Sequence, residues 1–227
     1  MSMTENPSVV TNAWVAFLDV YGFTALLEKN DFLTLHENLL KGHEFIKTRI
    51  NDNPNARVFY FSDSIFLIYK IDEPNEKGKI LNILINDIRK IMGCFIELEL
   101  PLRGALSYGE VVYSENVVVG KPIVTAYQTE LKVPCPLFFI PSCEIEDTEH
   151  KLRDLSQDNI LKLKKEIPKY GRFVCPFPIE EYYDSVRKYF HNYAKNGPDE
   201  PAKAWGKALE YLDKKRDLIL GSSKWSS

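Results

Sequence analysis

One stretch of the chain constrains the fold more than any other. Trp14-Val15-Ala16-Phe17-Leu18 is apolar without interruption, reaches Asp19, and leaves through Val20-Tyr21-Gly22-Phe23-Thr24. An apolar run of this length reads as a sheet strand covered on both faces. Gly22 permits a tight turn directly after it. The rest of the chain must therefore supply two covers for one strand, and the strand must end on a carboxylate.

The next segments of the chain supply that cover. From Phe23 to Asn51 the apolar residues Leu26, Leu27, Phe32, Leu35, Leu39, Leu40, Phe45, Ile46 and Ile50 recur at helical spacing, divided near Asn30-Asp31 into a short and a long helix. Arg57 to Phe61 and Ser64 to Tyr69 are aromatic and β-branched, and read as two strands joined by a tight turn that carries Asp63. Glu76 to Leu98 gives a second long amphipathic helix, with Ile80, Leu81, Leu84, Ile88, Ile91, Met92 and Phe95 on its inner face. Leu102 to Ser107 and Glu110 to Val119 read as another hairpin, turning at Tyr108-Gly109 or at residues 113–116. This order is the α+β, ferredoxin-like βαββαβ arrangement with an extra hairpin.

Beyond Gly120, Pro122 suits a first helical turn and the segment to Glu130 is helical. Leu137 to Ile140 reads as a buried strand, Tyr170 to Cys175 as another, and Leu155 to Ile167, Ile179 to Tyr193 and Ala202 to Leu220 as helices. Tyr182, Tyr183, Tyr189, Phe190 and Tyr193 form an aromatic face suited to core or dimer packing. The expected organisation is a loose arm over 1–12, a domain over 13–142, a helical C-terminal extension over 143–220 packed on that domain or on a dimer, and a frayed end over 221–227.

Composition excludes several functions. With 44% hydrophobic residues in 227 the chain can bury a sizeable core. A net charge of −3 without a long basic run argues against nucleic acid as a partner. No segment has the eighteen or so uninterrupted apolar residues of a membrane span, and Met1 to Asn6 lack the basic and apolar regions of a signal peptide. Cys94, Cys135, Cys143 and Cys175 lack CxxC spacing and read as reduced thiols of a cytoplasmic protein. His36, His43, His150 and His191 form no ligand pattern.

The second carboxylate gives the first its meaning. Asp63 breaks an apolar run within Phe61-Ser62-Asp63-Ser64. If the two strands are neighbours, Asp19 and Asp63 converge, and two carboxylates at short range need a cation or a proton between them. A hard divalent ion, Mg²⁺ or Mn²⁺, suits so small a carboxylate set and leaves coordination positions for substrate phosphates. Taken singly, each Asp is equally well explained as a strand end or a helix cap.

Phe17-Leu18-Asp19-Val20-Tyr21-Gly22-Phe23-Thr24 resembles the first metal motif of the class III nucleotide cyclases, and Ser62-Asp63 resembles the second, at a separation of 63 − 19 = 44 residues that is usual in that family. Pro101 to Gly109 is similar to the family's arginine-bearing strand and hairpin, and Gly120 to Glu130 to the helix after it. The resemblance covers residues 13 to 142. It implies a two-metal cyclisation in which a ribose 3′-hydroxyl displaces pyrophosphate from a nucleoside triphosphate, with Asp19, Asp63 and the Val20 carbonyl as metal ligands. It further implies that the backbone of Tyr21, Gly22, Phe23 and Thr24 meets phosphate oxygens, that Arg103 grips the terminal phosphates, and that two chains share each site as a head-to-tail homodimer.

The departures are specific. Where the family reads a purine with a lysine and a carboxylate, this chain carries Phe59 and Val117, and where it steadies the transition state with an asparagine and an arginine, it carries Val124 and Gln128. Tyr60, Tyr127 and Gln128 are further candidates for base or ribose contacts. An apolar pocket cannot satisfy the purine hydrogen-bonding edge. Loss of the base-reading groups beside two retained aspartates is similar to the pyrimidine cyclases of the Pycsar anti-phage systems. That likeness implies UTP or CTP as substrate and a cyclic nucleotide read by a separate effector. Two other readings stand beside it: a catalytically silent nucleotide-binding or interaction module, and a purine cyclase with unusual base contacts.

Overall fold

The computed structural model describes residues 8–133, 138–140, 160–161, 172–174, 187–189, 191–192 and 195. The elements run β1 (Val9–Val20), α1 (Phe23–Lys29), α2 (Phe32–Asn51), β2 (Ala56–Phe61), β3 (Ser64–Ile71), a 3₁₀ turn (Pro74–Glu76), α3 (Lys77–Glu97), β4 (Leu102–Tyr113), β5 (Val118–Val119), α4 (Lys121–Glu130), β6 (Phe138–Ile140), β7 (Ile160–Leu161) and β8 (Arg172–Val174). The strands form one sheet in the order β2-β3-β1-β4-β6-β8-β7, with β5 paired to β4. Its β2-β3-β1-β4 part, with β1 antiparallel to both neighbours, is the ferredoxin-like core expected from the sequence.

Alternation along β1 divides its side chains between two faces. Trp14, Ala16, Leu18 and Val20 enter the main core with Leu35, Ile46 and Ile50 of α2 and Leu81, Leu84, Ile88 and Phe95 of α3. Ala13, Val15 and Phe17 enter a second cluster with Ile68, Val111 and Ala126 of α4. Asp19 continues this second series, so its carboxylate lies on the α4 side of the sheet. Gly104 lets β4 approach β1 at the same level: a Cβ there would land on the Phe17 carbonyl oxygen and on Leu18 and Phe138.

A side-chain cap starts α2, and a polar junction ties the two long helices together. Asp31, the N-cap of α2, accepts from Thr34 N at 3.0 Å and sets the break between α1 and α2. Asp87 of α3, 6% exposed, accepts from Arg49 Nε of α2 at 2.8 Å and from the Tyr69 hydroxyl of β3 at 2.6 Å. Three elements thus meet on one buried carboxylate.

Several expectations are corrected. β1 starts at Val9, ahead of the apolar run, because its pairing with β4 continues to Tyr113 and Val9 packs on the second cluster. Of the two turns expected for the hairpin the later is the one formed, at 114–117, where Ser114 N donates to Val117 O at 2.8 Å, and β4 runs straight through Tyr108-Gly109. Leu27, Phe32 and Leu40 are exposed rather than core, since α2 buries only a narrow stripe led by Leu35, Ile46 and Ile50. Ile160-Leu161, expected in a helix, forms a strand because Arg172–Val174 offers it a ladder. His43, expected at the surface, is half-buried, stacked on Tyr60 with ring centroids 4.1 Å apart. Tyr182, Tyr183, Phe190, Tyr193 and Ala202 to Leu220 lie outside the described residues, as do Cys135, Cys143 and Cys175; Cys94 is a reduced, half-buried thiol.

Candidate active site

The register of the sheet builds the site. Asp19 stands opposite Ser64 on one side and Arg103 on the other. Ser64 Oγ donates to Asp19 Oδ1 at 2.8 Å, and Val20 N donates to the Asp63 carbonyl at 3.3 Å, so the end of β1 and the β2–β3 turn are tied at two points. Ser62, in that turn, holds φ at 56°, a left-handed conformation that costs a serine about 1 kcal/mol. Strain is thus concentrated at the residue that presents Asp63.

Charge is concentrated here as well. Burial pushes the Asp19 carboxyl above its usual range, opposed by the Ser64 hydrogen bond, reinforced by the Asp63 charge and opposed again by Arg103. Arg103 Nη2 lies 3.9 Å from Asp19 Oδ2, and its Nε is ion-paired with Glu130, the last residue of α4. Arg103 Nη1 donates to the Val133 carbonyl at 3.4 Å, and the guanidinium stands 5.6 Å from the centre of the Tyr21 ring. Glu130 is 1% exposed; burial above all, with the charges of Asp19 and Asp63, carries its carboxyl up to about 7 against the pull of Arg103.

The other expected residues divide into three groups. Tyr21 N donates to the Pro101 carbonyl at 2.7 Å; Gly22, at φ 74°, caps α1, and Phe23 and Thr24 open the helix where N–H groups lack intrahelical acceptors. Phe59 packs on the second cluster, and Tyr127 of α4 meets Phe17 edge-on at 5.5 Å, so both belong to the face that carries Asp19. Tyr60 is on the opposite face, with its hydroxyl on the His43 carbonyl of α2 at 3.1 Å. Val117 sits in the hairpin turn beyond Tyr113, which pairs with Val9, whereas Asp19 pairs with Arg103. The length of β1, roughly 30 Å at about 3.3 Å per residue, separates those two pairings. Gln128 is exposed on α4.

Three residues were missed by the sequence reading. Glu130 had no signal, because an acid ending a helix resembles any solvated one. Phe61 had one: it alternates with Phe59 in β2, pairs with Ser64 opposite Asp19, and is 80% exposed, an unusual state for a phenylalanine. Tyr189, in the helical stretch 187–189, lies near enough to Tyr21 for the phenol there to add to the upward push of burial on its ionisation.

Among the described residues no group of three or more His, Cys, Asp and Glu side chains could hold a metal ion. No helix among them is long and apolar enough to cross a membrane.

No family model and no curated protein matches the sequence. Solved structures do. The adenylyl cyclase CyaB from P. aeruginosa superposes with a TM-score of 0.54 at 13% identity, over 74% of this chain and 95% of that one. The non-canonical dimeric guanylyl cyclase domain of the RhoGC fusion protein from the aquatic fungus Blastocladiella emersonii gives 0.53 at 14% identity, over 74% and 97%. The fold is that of a class III nucleotide cyclase domain. An adenylate/guanylate cyclase/hydrolase from Silicibacter pomeroyi has the same cyclase fold, with a TM-score of 0.51 at 15% identity, over 74% of this chain and 96% of that one. Within the cyclase fold described here, Asp19, Asp63, Arg103 and Glu130 share one end of the sheet.

Proposed function

We propose that the chain is a nucleotide cyclase that converts a pyrimidine nucleoside triphosphate, UTP or CTP, into its 3′,5′-cyclic nucleotide and pyrophosphate. The observation that carries the reading is the strand-end pair itself: Asp19 and Asp63, tied through Ser64 and Val20 N, with Arg103 beside them. The Asp19 carboxyl is half-buried and repelled by Asp63, a charge pattern that a bound cation relieves, so the donor chemistry fits Mg²⁺ or Mn²⁺. Two divalent ions, when bound, would raise the acidity of the attacking hydroxyl and neutralise phosphate charge. Asp19 and Asp63 hold them, with the Val20 carbonyl as a further oxygen donor. Arg103 offers a permanently charged fork to the departing pyrophosphate.

The pyrimidine assignment rests on apolar residues where a purine edge would need polar partners. Phe59 is embedded among Phe66 and its neighbours, and Val117 is 60% exposed with nothing to donate. The separation of Val117 from Asp19 along β1 supports a site completed by a second copy, so that the working unit is a homodimer. The product would be a messenger read by a separate effector, in keeping with the resemblance to anti-phage cyclases. A purine cyclase is the second reading, favoured by the adenylyl and guanylyl cyclases among the structural neighbours.

The test is incubation of the purified protein with each of the four ribonucleoside triphosphates and Mn²⁺, followed by mass analysis. Cyclic UMP or cyclic CMP is expected, and Asp19→Ala or Asp63→Ala should lower turnover by at least a thousandfold with the fold intact. Cyclic AMP or GMP would overturn the base assignment alone. Turnover that survives either alanine would overturn the two-metal site.

A further inference from the structure

Arg103 stands between two carboxylates with opposite consequences. Asp19 is the residue on which the cation site depends, and a guanidinium that closed on it would neutralise a metal ligand. Glu130 competes for the same guanidinium. It is 1% exposed, so its charge is balanced by what it touches rather than by water. It takes Arg103 by Nε, whereas Asp19 Oδ2 remains 3.9 Å from Nη2. The Val133 carbonyl receives Nη1 at 3.4 Å, a long and weak bond, and the Tyr21 ring flanks the guanidinium at 5.6 Å. The ion pair holds the root of the fork on the α4 side, and the outer nitrogens keep only long contacts, to the Val133 carbonyl and to Asp19.

We propose that Glu130 is a positioning residue: by anchoring Arg103 through Nε, it keeps the guanidinium off Asp19 and aimed at the polyphosphate of the substrate. The inference rests on the cyclase reading for what Arg103 binds. It makes a prediction opposite in sign to simple electrostatics. A buried carboxylate beside an anion site, if it did nothing else, would weaken anion binding, and its removal would tighten it.

The experiment measures binding of inorganic triphosphate in the presence of Mn²⁺ by calorimetry, for the full chain and for Glu130→Gln, Arg103→Ala and the double variant, with thermal melts as the check on folding. Glu130→Gln should weaken binding about tenfold, Arg103→Ala at least as much, and the double variant no more than Arg103→Ala, because Glu130 acts only through the arginine. Glu130→Asp, which keeps the charge on a shorter arm, should fall between the full chain and Glu130→Gln, and serves if the glutamine variant does not fold. Unchanged or tighter binding by Glu130→Gln, or a loss that adds in full to that of Arg103→Ala, overturns the positioning role and leaves the cyclase reading standing. A full chain that does not bind triphosphate overturns both, starting with the phosphate site.

Discussion

Glu130 is the residue whose environment departs furthest from its ordinary one among the carboxylates of the site, and the departure has a measurable sign. Its carboxyl in the native state sits at about 7, against 4.5 ordinarily, chiefly through burial. A carboxyl raised in this way contributes its full stability below the unfolded value and loses it as pH rises through the native one. Between pH 4.5 and about 7 the native state therefore gives up a few kcal/mol at this position, at about 1.4 kcal/mol per unit. Glu130→Gln lacks that loss. In metal-free buffer, urea denaturation should find the variant close to the parent at pH 5 and more stable by about 1–3 kcal/mol at pH 8. A variant less stable at pH 8 would mean that the pair with Arg103 outweighs the burial of the charge. The other residues of the site differ in how far the sequence discloses them. Asp19 and Asp63 are legible because each breaks an apolar run of the sequence, where an unpaired carboxylate is costly to bury. Glu130 is not, because its burial arises only when the end of α4 meets β4, and no local pattern encodes that meeting.

At the scale of elements, the strongest sequence signals were periodic and the failures lay where pairing, not propensity, decides. The inner face read for α3, from Ile80 to Phe95, is buried at every position named, since a helix between sheet and core has one face to hide. The start of β1 at Val9 was illegible because Thr11 and Asn12 are polar, and only the pairing with β4 extends the strand through them. Ile160-Leu161 is the same case in a shorter segment. The junction of α2, α3 and β3 at Asp87 carries a prediction of its own. Arg49 and the Tyr69 hydroxyl both end on this carboxylate, and burial first, then the Asp87 charge, pushes the Tyr69 phenol well above its usual range. Asp87→Ala leaves the buried Tyr69 hydroxyl without its acceptor and releases Arg49, whose side chain is 35% exposed, and should cost about 2–3 kcal/mol in urea denaturation, whereas Tyr69→Phe, which removes one hydrogen bond, should cost about 1 kcal/mol. Equal costs would show that the arginine pair contributes nothing beyond the hydroxyl.

For the whole molecule, the question is what covers the apolar residues at the hairpin and α4. Val119, Val117, Val124 and Leu131 are each more than half exposed, at 64%, 60%, 54% and 54%, and Tyr127 is 46% exposed. Val119 and Val124 also line an apolar groove of about 540 Å³ beside Gly120 and Lys121. Single exposed valines are ordinary, but a cluster on one hairpin and one helix marks an interaction surface. In the proposed homodimer this surface meets the strand-end carboxylates of the partner, which accounts for two otherwise separate facts: the distance of Val117 from Asp19 along β1, and the exposure of Phe61 on the Asp19 face. A charge on each element of the surface should separate the copies without disturbing either core, because neither side chain is in one. The double variant Val119→Glu, Val124→Glu is expected to sediment as a monomer, to melt as cooperatively as the parent, and to lose cyclic nucleotide production by at least a hundredfold. Specific activity of the parent should fall in proportion to concentration once dilution passes the dimer dissociation constant. A monomeric variant with full turnover would place the whole reaction within one chain, and the base contacts would then have to come from Phe59, Phe61 and Tyr127, the aromatic residues that already share a face with Asp19.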